Sequence, residues 1–247
     1  MPAGGRNDEL AQPVIRRLDG FRKLSDDAAG LIRSALRDRV KKAGSSEDLI
    51  SEGDRAEIVR VFLSGWACRY KVLEDGRRQI VNFVLPGDTC DAYIYLFSRM
   101  DHSLATLTPV VYAEFDRAAF EQLIAADRTI GEAFYCETLS NCAIQREWTL
   151  NVGRRDAIER VAHVICELFV RLSVVGLVHG NSFGFPVTQM DLADATGLST
   201  VHVNRTLQEL RAAGLITLRE RQVIIHDLEG LSRMAMFTPH YLHLERR

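Results

Sequence analysis

Small, polar and cationic side chains recur on one face of a short helical stretch: Val201, Arg205, Gln208 and Ala212, flanked by Thr200, Asn204 and Arg211 on one side and His202 on the other. Amide, hydroxyl and guanidinium groups ranked this way can meet base edges and phosphates when a helix lies in the major groove of double-stranded DNA. The chemistry they offer is recognition, not bond breaking. No Ser or Cys sits at a sharp turn with a plausible base, and no Gly-rich phosphate loop follows a strand-like run. The histidines do not make a metal set: only His102 lies in the β-rich region, and His240 and His243 sit in a C-terminal tail where exposure is the default. A metal-dependent jelly-roll enzyme would need a His-x-His and acid cluster, which is missing. No catalytic residue, metal ligand or cofactor is therefore assigned.

The elements that must hold that face are two short helices split by a turn. The pattern predicts helices over residues 189–196 and 200–212 around Gly197-Leu198-Ser199. Thr188 is placed to cap the first helix, with Asp191 three residues on, and Ser199 to cap the second. Gly197 can take the left-handed conformation that ends the first helix. Val203, Leu207 and Leu210 follow the i, i+4, i+7 spacing of a buried stripe. Two strand-like runs, 214–218 and 222–226, flank an Arg219-Glu220-Arg221 turn and add a wing. A helix pair with a Gly turn can simply pack, but the wing and the polar outer face favour DNA. The candidate contacts are Thr188, Gln189, Ser199, Thr200, Val201, His202, Asn204, Arg205 and Gln208.

Composition bounds the class. The chain has 247 residues, 47 % hydrophobic and 26 % charged, enough for two domains, or one large one, of an ordinary soluble globular protein. It contains no run of about 18 apolar residues, and its N-terminus is polar, so neither a membrane span nor a secretory signal is read; the expected location is cytoplasmic. A net charge of −2 argues against holding nucleic acid by bulk electrostatics. Arg205, Arg211, Arg219 and Arg221 are balanced by Asp191, Asp194, Glu209 and Glu220, so affinity must come from where the arginines point. The five cysteines are scattered, with no C-x-x-C pair, so no disulfide framework is expected.

Along the chain, residues 1–12 read as disordered and 13–39 as helical, anchored by Ile15, Leu18, Leu31, Ile32 and Leu36. Between 49 and 115 the period changes to short apolar runs separated by turn signals, Asp75-Gly76 being the strongest hairpin signal. Trp66, Cys68, Tyr70 and Val72 share one strand face, with Ala67, Arg69 and Lys71 on the other. Many short strands at this spacing imply a sandwich or jelly roll. Helical spacing returns at 117–125 and over a long stretch, 128–150. There Ile130, Phe134, Cys136/Glu137, Leu139/Ser140, Ala143/Ile144 and Trp148 outline a stripe suited to pairing with a second copy. The competing reading lays that helix on its own β domain. Cys136 could face the partner copy, although both it and Cys142 read more simply as small buried hydrophobes. Residues 151–153 look like a hinge, 155–174 an amphipathic helix, and 176–186 a Gly-rich connection. The expected fold is α+β: a β jelly roll (14–127), a dimerisation helix (128–152) and a winged helix-turn-helix (153–236).

This order of parts resembles the cyclic-AMP receptor and fumarate-nitrate regulator (CRP/FNR) family of bacterial transcription factors. The resemblance covers about residues 14–230. It is carried by Val61-Phe62-Leu63-Ser64-Gly65, Glu74-Asp75-Gly76-Arg77 and Phe83-Val84-Leu85-Pro86-Gly87-Asp88, together with Asp191-Leu192-Ala193, Gly197-Leu198-Ser199, Val203-Asn204-Arg205-Thr206-Leu207 and Gly214-Leu215-Ile216. It implies that the N-terminal β jelly roll (14–127) is a sensor domain of cyclic-nucleotide-binding type, and it implies recognition-helix positions at Thr200, Val201, Asn204 and Arg205. Where the family often has an acid, this chain has Val201, which can touch a thymine methyl but cannot accept from cytosine.

The sensing half departs more. Cyclic-nucleotide-binding members of the family have a Gly-Glu after the Pro-Gly-Asp turn and a later Arg-Ser pair for the phosphate. Here the two places read Thr89-Cys90-Asp91-Ala92-Tyr93 and Asp101-His102-Ser103-Leu104. An aspartate without a neutralising arginine argues against a cyclic nucleotide, and the lack of cysteines before Cys68 argues against an iron-sulfur cluster. Asp91, His102 and Ser103 remain the effector candidates; Arg69, Arg77 and Arg78 could serve another anion, but on a hairpin they read more simply as solvated surface residues. The resemblance implies a homodimeric, sequence-specific regulator on a palindromic operator, paired through residues 128–150, with RNA polymerase a further partner and the effector unknown. One variant needs no signal, its pocket filled by Tyr93, Tyr95 and Phe97. An alternative of a different class is a ligand-binding signalling module whose winged helix contacts protein instead of DNA.

Overall fold

In the computed structural model, which describes residues 3–244 and side chains from Glu9 onward, the short apolar runs pair as eight antiparallel strands. They are β1 (Val40–Ala43), β2 (Asp48–Ile50), β3 (Val59–Ser64), β4 (Ala67–Val72), β5 (Arg78–Val84), β6 (Thr89–Cys90), β7 (Ser103–Thr106) and β8 (Val110–Phe115). Two four-stranded sheets, ordered β1-β8-β3-β6 and β2-β7-β4-β5, face each other as a β roll. Phe62, Ala67, Val84, Ile94, Met100, Leu104 and Tyr112 fill the space inside it. The alternation expected on β4 holds: Ala67 faces the roll's interior, whereas Trp66, Cys68 and Tyr70 face the helices on the other side. Sequence alone did not find β1, β2 and β6, because β1 carries two exposed lysines and β2 and β6 have only three and two residues, too few for a period.

The N-terminal expectation needs correction. Helix α1 spans Ala3–Phe21, so residues expected to be disordered are helical from Ala3; Met1 and Pro2 lie outside the described residues. Ala11, Val14, Ile15 and Leu18 bury against Leu24, Phe115, Phe120 and Phe134, and this tertiary contact, not local propensity, sustains the helix. Helix α2 (Asp26–Arg37) is capped by Ser25; Ile32 and Leu36 are buried on it, but Leu31 is exposed and anchors nothing.

After α3 (Arg117–Ala126) comes the long helix α4 (Arg128–Arg154). Its expected partner-facing stripe turns inward: Ile130, Phe134, Glu137, Ser140, Ala143, Ile144 and Trp148 are buried within the same chain. The face left exposed carries Tyr135, Leu139, Cys142 and Leu150. Cys142 is thus on the surface of a single chain and Cys136 half-buried, unlike the buried pair expected. The expected hinge at 151–153 lies inside α4, where Asn151 is buried. The break falls at Arg155 and Asp156 instead, because Asp156 forms a capping box with Glu159 that starts α5 (Ala157–Val174).

The Gly-rich connection is itself a hairpin, β9 (Val178–His179) and β10 (Ser182–Gly184). It extends the wing strands β11 (Ile216–Arg219) and β12 (Gln222–Ile225) into a sheet ordered β11-β12-β10-β9. Between the hairpins lie α6 (Gln189–Thr196) and α7 (Thr200–Ala212); α8 (Leu228–Met234) follows. The chain then returns to α4 and α5, where Ser140 Oγ donates to Leu242 O at 3.0 Å and Tyr241 Oη to Glu167 at 2.7 Å. One apolar cluster crosses from the roll to the winged unit through Trp66, Phe83, Trp148 and Phe185, with edge-on ring contacts of 5.8–6.4 Å. Among the described residues no helix is long and apolar enough to cross a membrane.

Candidate nucleic-acid interface

The turn between α6 and α7 follows the residues read for it. Thr188 accepts from Asp191 N at 3.1 Å, and Asp191 Oδ2 accepts from Thr188 N and Oγ1 at 3.1 and 2.6 Å, a reciprocal cap. Gly197 sits at φ 66°, where a side chain is strained, and lets Leu198 N reach back to Ala193 O. Ser199 Oγ then accepts from His202 N at 3.2 Å to start α7. Val203, Leu207 and Leu210 are fully buried, joined by Thr206, which the apolar periodicity had not marked.

With that stripe turned inward, Gln189, Thr200, Val201, Asn204, Arg205 and Gln208 line one open groove. Val201 is 78 % exposed. Three amides form a ladder across the helices: Asn204 Nδ2 donates to Gln189 Oε1 at 3.2 Å, and Gln208 Nε2 to Asn204 Oδ1 at 3.0 Å. Arg205 is held by Glu209 one turn on, at 2.9 Å, a partner that i, i+4 spacing could have flagged. His202 is exposed on the first turn, while the Thr188 and Ser199 hydroxyls are engaged as caps. At the wing tip Glu220 and Arg221 both have positive φ, 51° and 58°, the geometry of a tight two-residue hairpin.

The effector candidates do not read as the sequence suggested. Arg69 is buried, not solvated, and its Nη2 lies 3.5 Å from Asp91 Oδ1 and donates to Thr89 O at 3.3 Å. His102 Nε2 sits 3.1 Å from the other Asp91 oxygen, without a hydrogen-bond angle, and its Nδ1 meets Asp101 at 2.8 Å. Burial alone would raise the Asp91 carboxyl, but Arg69 and His102 outweigh it and hold it at about 2. The arginine missing at the expected position is thus supplied by β4. Ser103 Oγ is occupied, accepting from Glu52 N at 2.9 Å. Of the aromatics read as pocket filling, Tyr93 and Tyr95 pack on Phe120 outside the roll and Phe97 is exposed. Arg78, too, is paired, with Asp191 and Asp194; only Arg77 is exposed as expected. Asp191 and Asp194 stand three apart on α6, a signal that an outside cation was required.

A second polar cluster joins the roll to the helices. Thr89 N donates to Glu137 Oε1 on α4 at 2.9 Å, and the neighbouring Asp88 pairs with Arg171 on α5 and Arg17 on α1. Burial pushes the Glu137 carboxyl up to about 7, against the pull of Arg17. Among the described residues no group of three His, Cys, Asp or Glu side chains could hold a metal ion.

Residues 159–234 match the Crp-like helix-turn-helix domain family and residues 40–127 the cyclic nucleotide-binding domain family. The chain is 30 % identical over 209 residues to the nitrogen fixation regulation protein FixK of Bradyrhizobium diazoefficiens, covering 85 % of this chain and 87 % of the relative. It is 30 % identical over 192 residues to the transcriptional activatory protein AadR of Rhodopseudomonas palustris, covering 78 % and 79 %. The transcriptional activator protein FnrL of Cereibacter sphaeroides is 28 % identical over 193 residues, 76 % of each chain. Among solved structures, FixK2 from Bradyrhizobium japonicum shares the fold with a TM-score of 0.71 at 24 % identity, over 79 % of this chain and 96 % of that one.

Proposed function

The chain belongs to the CRP/FNR family of transcription regulators, a DNA-binding regulator and not an enzyme, and from that membership we propose how it reads its operator. The observation that carries the reading is the exposed outer face of α7. Arg205 meets a guanine edge or a phosphate, the amides of Gln189, Asn204 and Gln208 exchange their ladder for base edges, and Val201 lies against a thymine methyl. Thr188, Ser199, Thr200 and His202, clustered at the two helix starts, lie along the phosphates.

Two copies pair along α4. Tyr135, Leu139, Cys142, Arg146, Thr149 and Gly153 recur on it at alternating steps of four and three, a seam for a two-stranded coil, and all six are exposed in a single chain. A two-fold pair sets its two α7 helices one turn of DNA apart, which a palindrome matches. The parts are a sensor roll (14–127), the pairing helix (128–152) and the reader (153–236). Because two relatives carry names that make them activators, we assign this chain activation, with RNA polymerase as the partner, in the cytoplasm.

In the roll, the Asp91 carboxylate already stands between Arg69 and His102, so the region corresponding to the family's ligand site carries its own anion. This supports a regulator that takes neither a cyclic nucleotide nor another small anion. The test is selection of duplexes from a random pool by the purified, unliganded chain, then titration of the enriched site at two salt concentrations. An enriched palindrome whose affinity falls with salt is expected. Enrichment of nothing, with or without added cell extract, would favour a winged helix that serves a partner protein.

A further inference from the structure

Arg78 opens β5, directly after the Asp75-Gly76 turn, yet its partners lie 113 and 116 residues on, in the reader. Its Nη2 donates to Asp191 Oδ1 at 2.6 Å and its Nε to Asp194 Oδ2 at 2.7 Å. Beside it Gln79 Nε2 donates to Ala195 O at 3.4 Å. The guanidinium is backed by the Tyr70 ring, 5.6 Å from its centroid, and Tyr70 Oη is tied to Asp48 at 2.8 Å, so the arginine approaches α6 from a fixed platform. Asp191 is the residue whose other oxygen holds the Thr188 cap. One carboxylate therefore joins the sensor hairpin to the start of the helix that carries Gln189, and Gln189 in turn holds Asn204 on α7.

We propose that Arg78 is a positioning residue for DNA reading: through Asp191 and Asp194 it sets the angle of the reader against the β roll, and so the spacing of the two α7 helices in the dimer. This rests on the DNA-reading role proposed above. Arg171 of α5 bonded to Asp88 anchors one point of the reader on the roll, and the apolar cluster around it is non-directional and tolerates small rotations about that point, whereas a planar guanidinium bonded to two carboxylates on α6 fixes an orientation at a second point. The covalent link at Arg155 and Asp156 leaves that rotation to be set by contacts.

The experiment uses the full-length chain, its selected operator, and two duplexes with one base pair added to or removed from the operator's centre. Arg78→Gln, Asp194→Asn and the double variant are compared with wild type, with thermal midpoints recorded. Wild type binds the altered spacings much more weakly than the selected one. Arg78→Gln is expected to lose about fivefold or more on the selected operator and to lose much of the discrimination against altered spacing, with the double variant no weaker than Arg78→Gln alone. Spacing discrimination is a ratio of affinities for one protein, so a general loss of charge or of stability leaves it unchanged. If Arg78→Gln does not fold, Arg78→Lys, which keeps the charge and loses the fork, takes its place. Discrimination equal to wild type, or losses that simply add, overturns the proposal. A wild type that binds no duplex overturns the DNA-reading role itself, a result distinct from a variant that matches wild type.

Discussion

The Arg171 guanidinium on α5 donates to Asp88 at 2.6 Å, both side chains at least nine-tenths buried, while Arg17 Nε on α1 lies 3.4 Å from the other Asp88 oxygen. One turn between β5 and β6 thus supplies the counter-charge for two helices. Replacing Asp88 with Asn leaves two buried cations short of an anion, and a loss of about 3–5 kcal/mol is expected, the range for removing one partner of a buried pair. Denaturant unfolding measures it; a loss under about 1 kcal/mol would mean that water reaches the cluster.

Glu137 gives a pH signature. Its folded-state carboxyl is raised to about 7, so the folded chain holds that proton more tightly than the unfolded chain does. The associated stability is complete below about pH 4.5 and lost as pH rises to about 7, a change of about 3 kcal/mol. Comparing Glu137→Gln with wild type isolates this group: the variant is expected to gain on wild type between pH 5 and pH 8. A constant difference across that range would contradict it.

Asp91 behaves in the opposite sense. Held at about 2, its carboxylate contributes about 2 kcal/mol above the unfolded carboxylate range, and this is lost as pH falls from about 4 to about 2. Its φ of 56° suits glycine, so Asp91→Gly removes the carboxylate with little backbone cost. That variant is expected to melt lower and to be raised again by added formate or phosphate, with wild type unmoved. No rescue by either anion would show that Arg69 and His102 need no internal counter-ion.

On the reader, Arg205→Ala should cost about 1–3 kcal/mol of operator binding if the guanidinium meets a base, and relax preference at that one position. A uniform loss across sequences with a shallower salt slope would reassign Arg205 to a phosphate. Val201→Glu should shift preference there toward cytosine, which selection from a random pool would register.

The exposed seam of α4 predicts the oligomeric state. Leu139→Asp, at the centre of the uncovered face, is expected to yield a monomer by sedimentation while leaving the roll folded, since Leu139 is exposed and is not one of the buried residues of α4. A dimer of unchanged affinity would place the interface elsewhere.

The sequence by itself determined what depends on local chemistry. Thr188, Gly197 and Ser199 cap and break α6 and α7 as their types require, and Val203, Leu207 and Leu210 turn inward by spacing, which leaves the amides and Arg205 outside. Asp75-Gly76 made its hairpin, and alternation sorted Trp66 and Cys68 from Ala67. Only the tertiary structure decided which face of α4 its own chain covers, because an amphipathic helix with apolar residues on two sides has no local preference between them. It also decided the charges. Arg69, Arg78 and Arg171 are ordinary surface residues in any local window, and they became buried or paired through carboxylates that lie 22, 113 to 116 and 83 residues away along the chain. Helical spacing can record an i, i+4 pair such as Arg205 with Glu209 or Arg171 with Glu167, but a pair between distant residues needs nothing from sequence neighbours, and the fold alone brings those partners within reach.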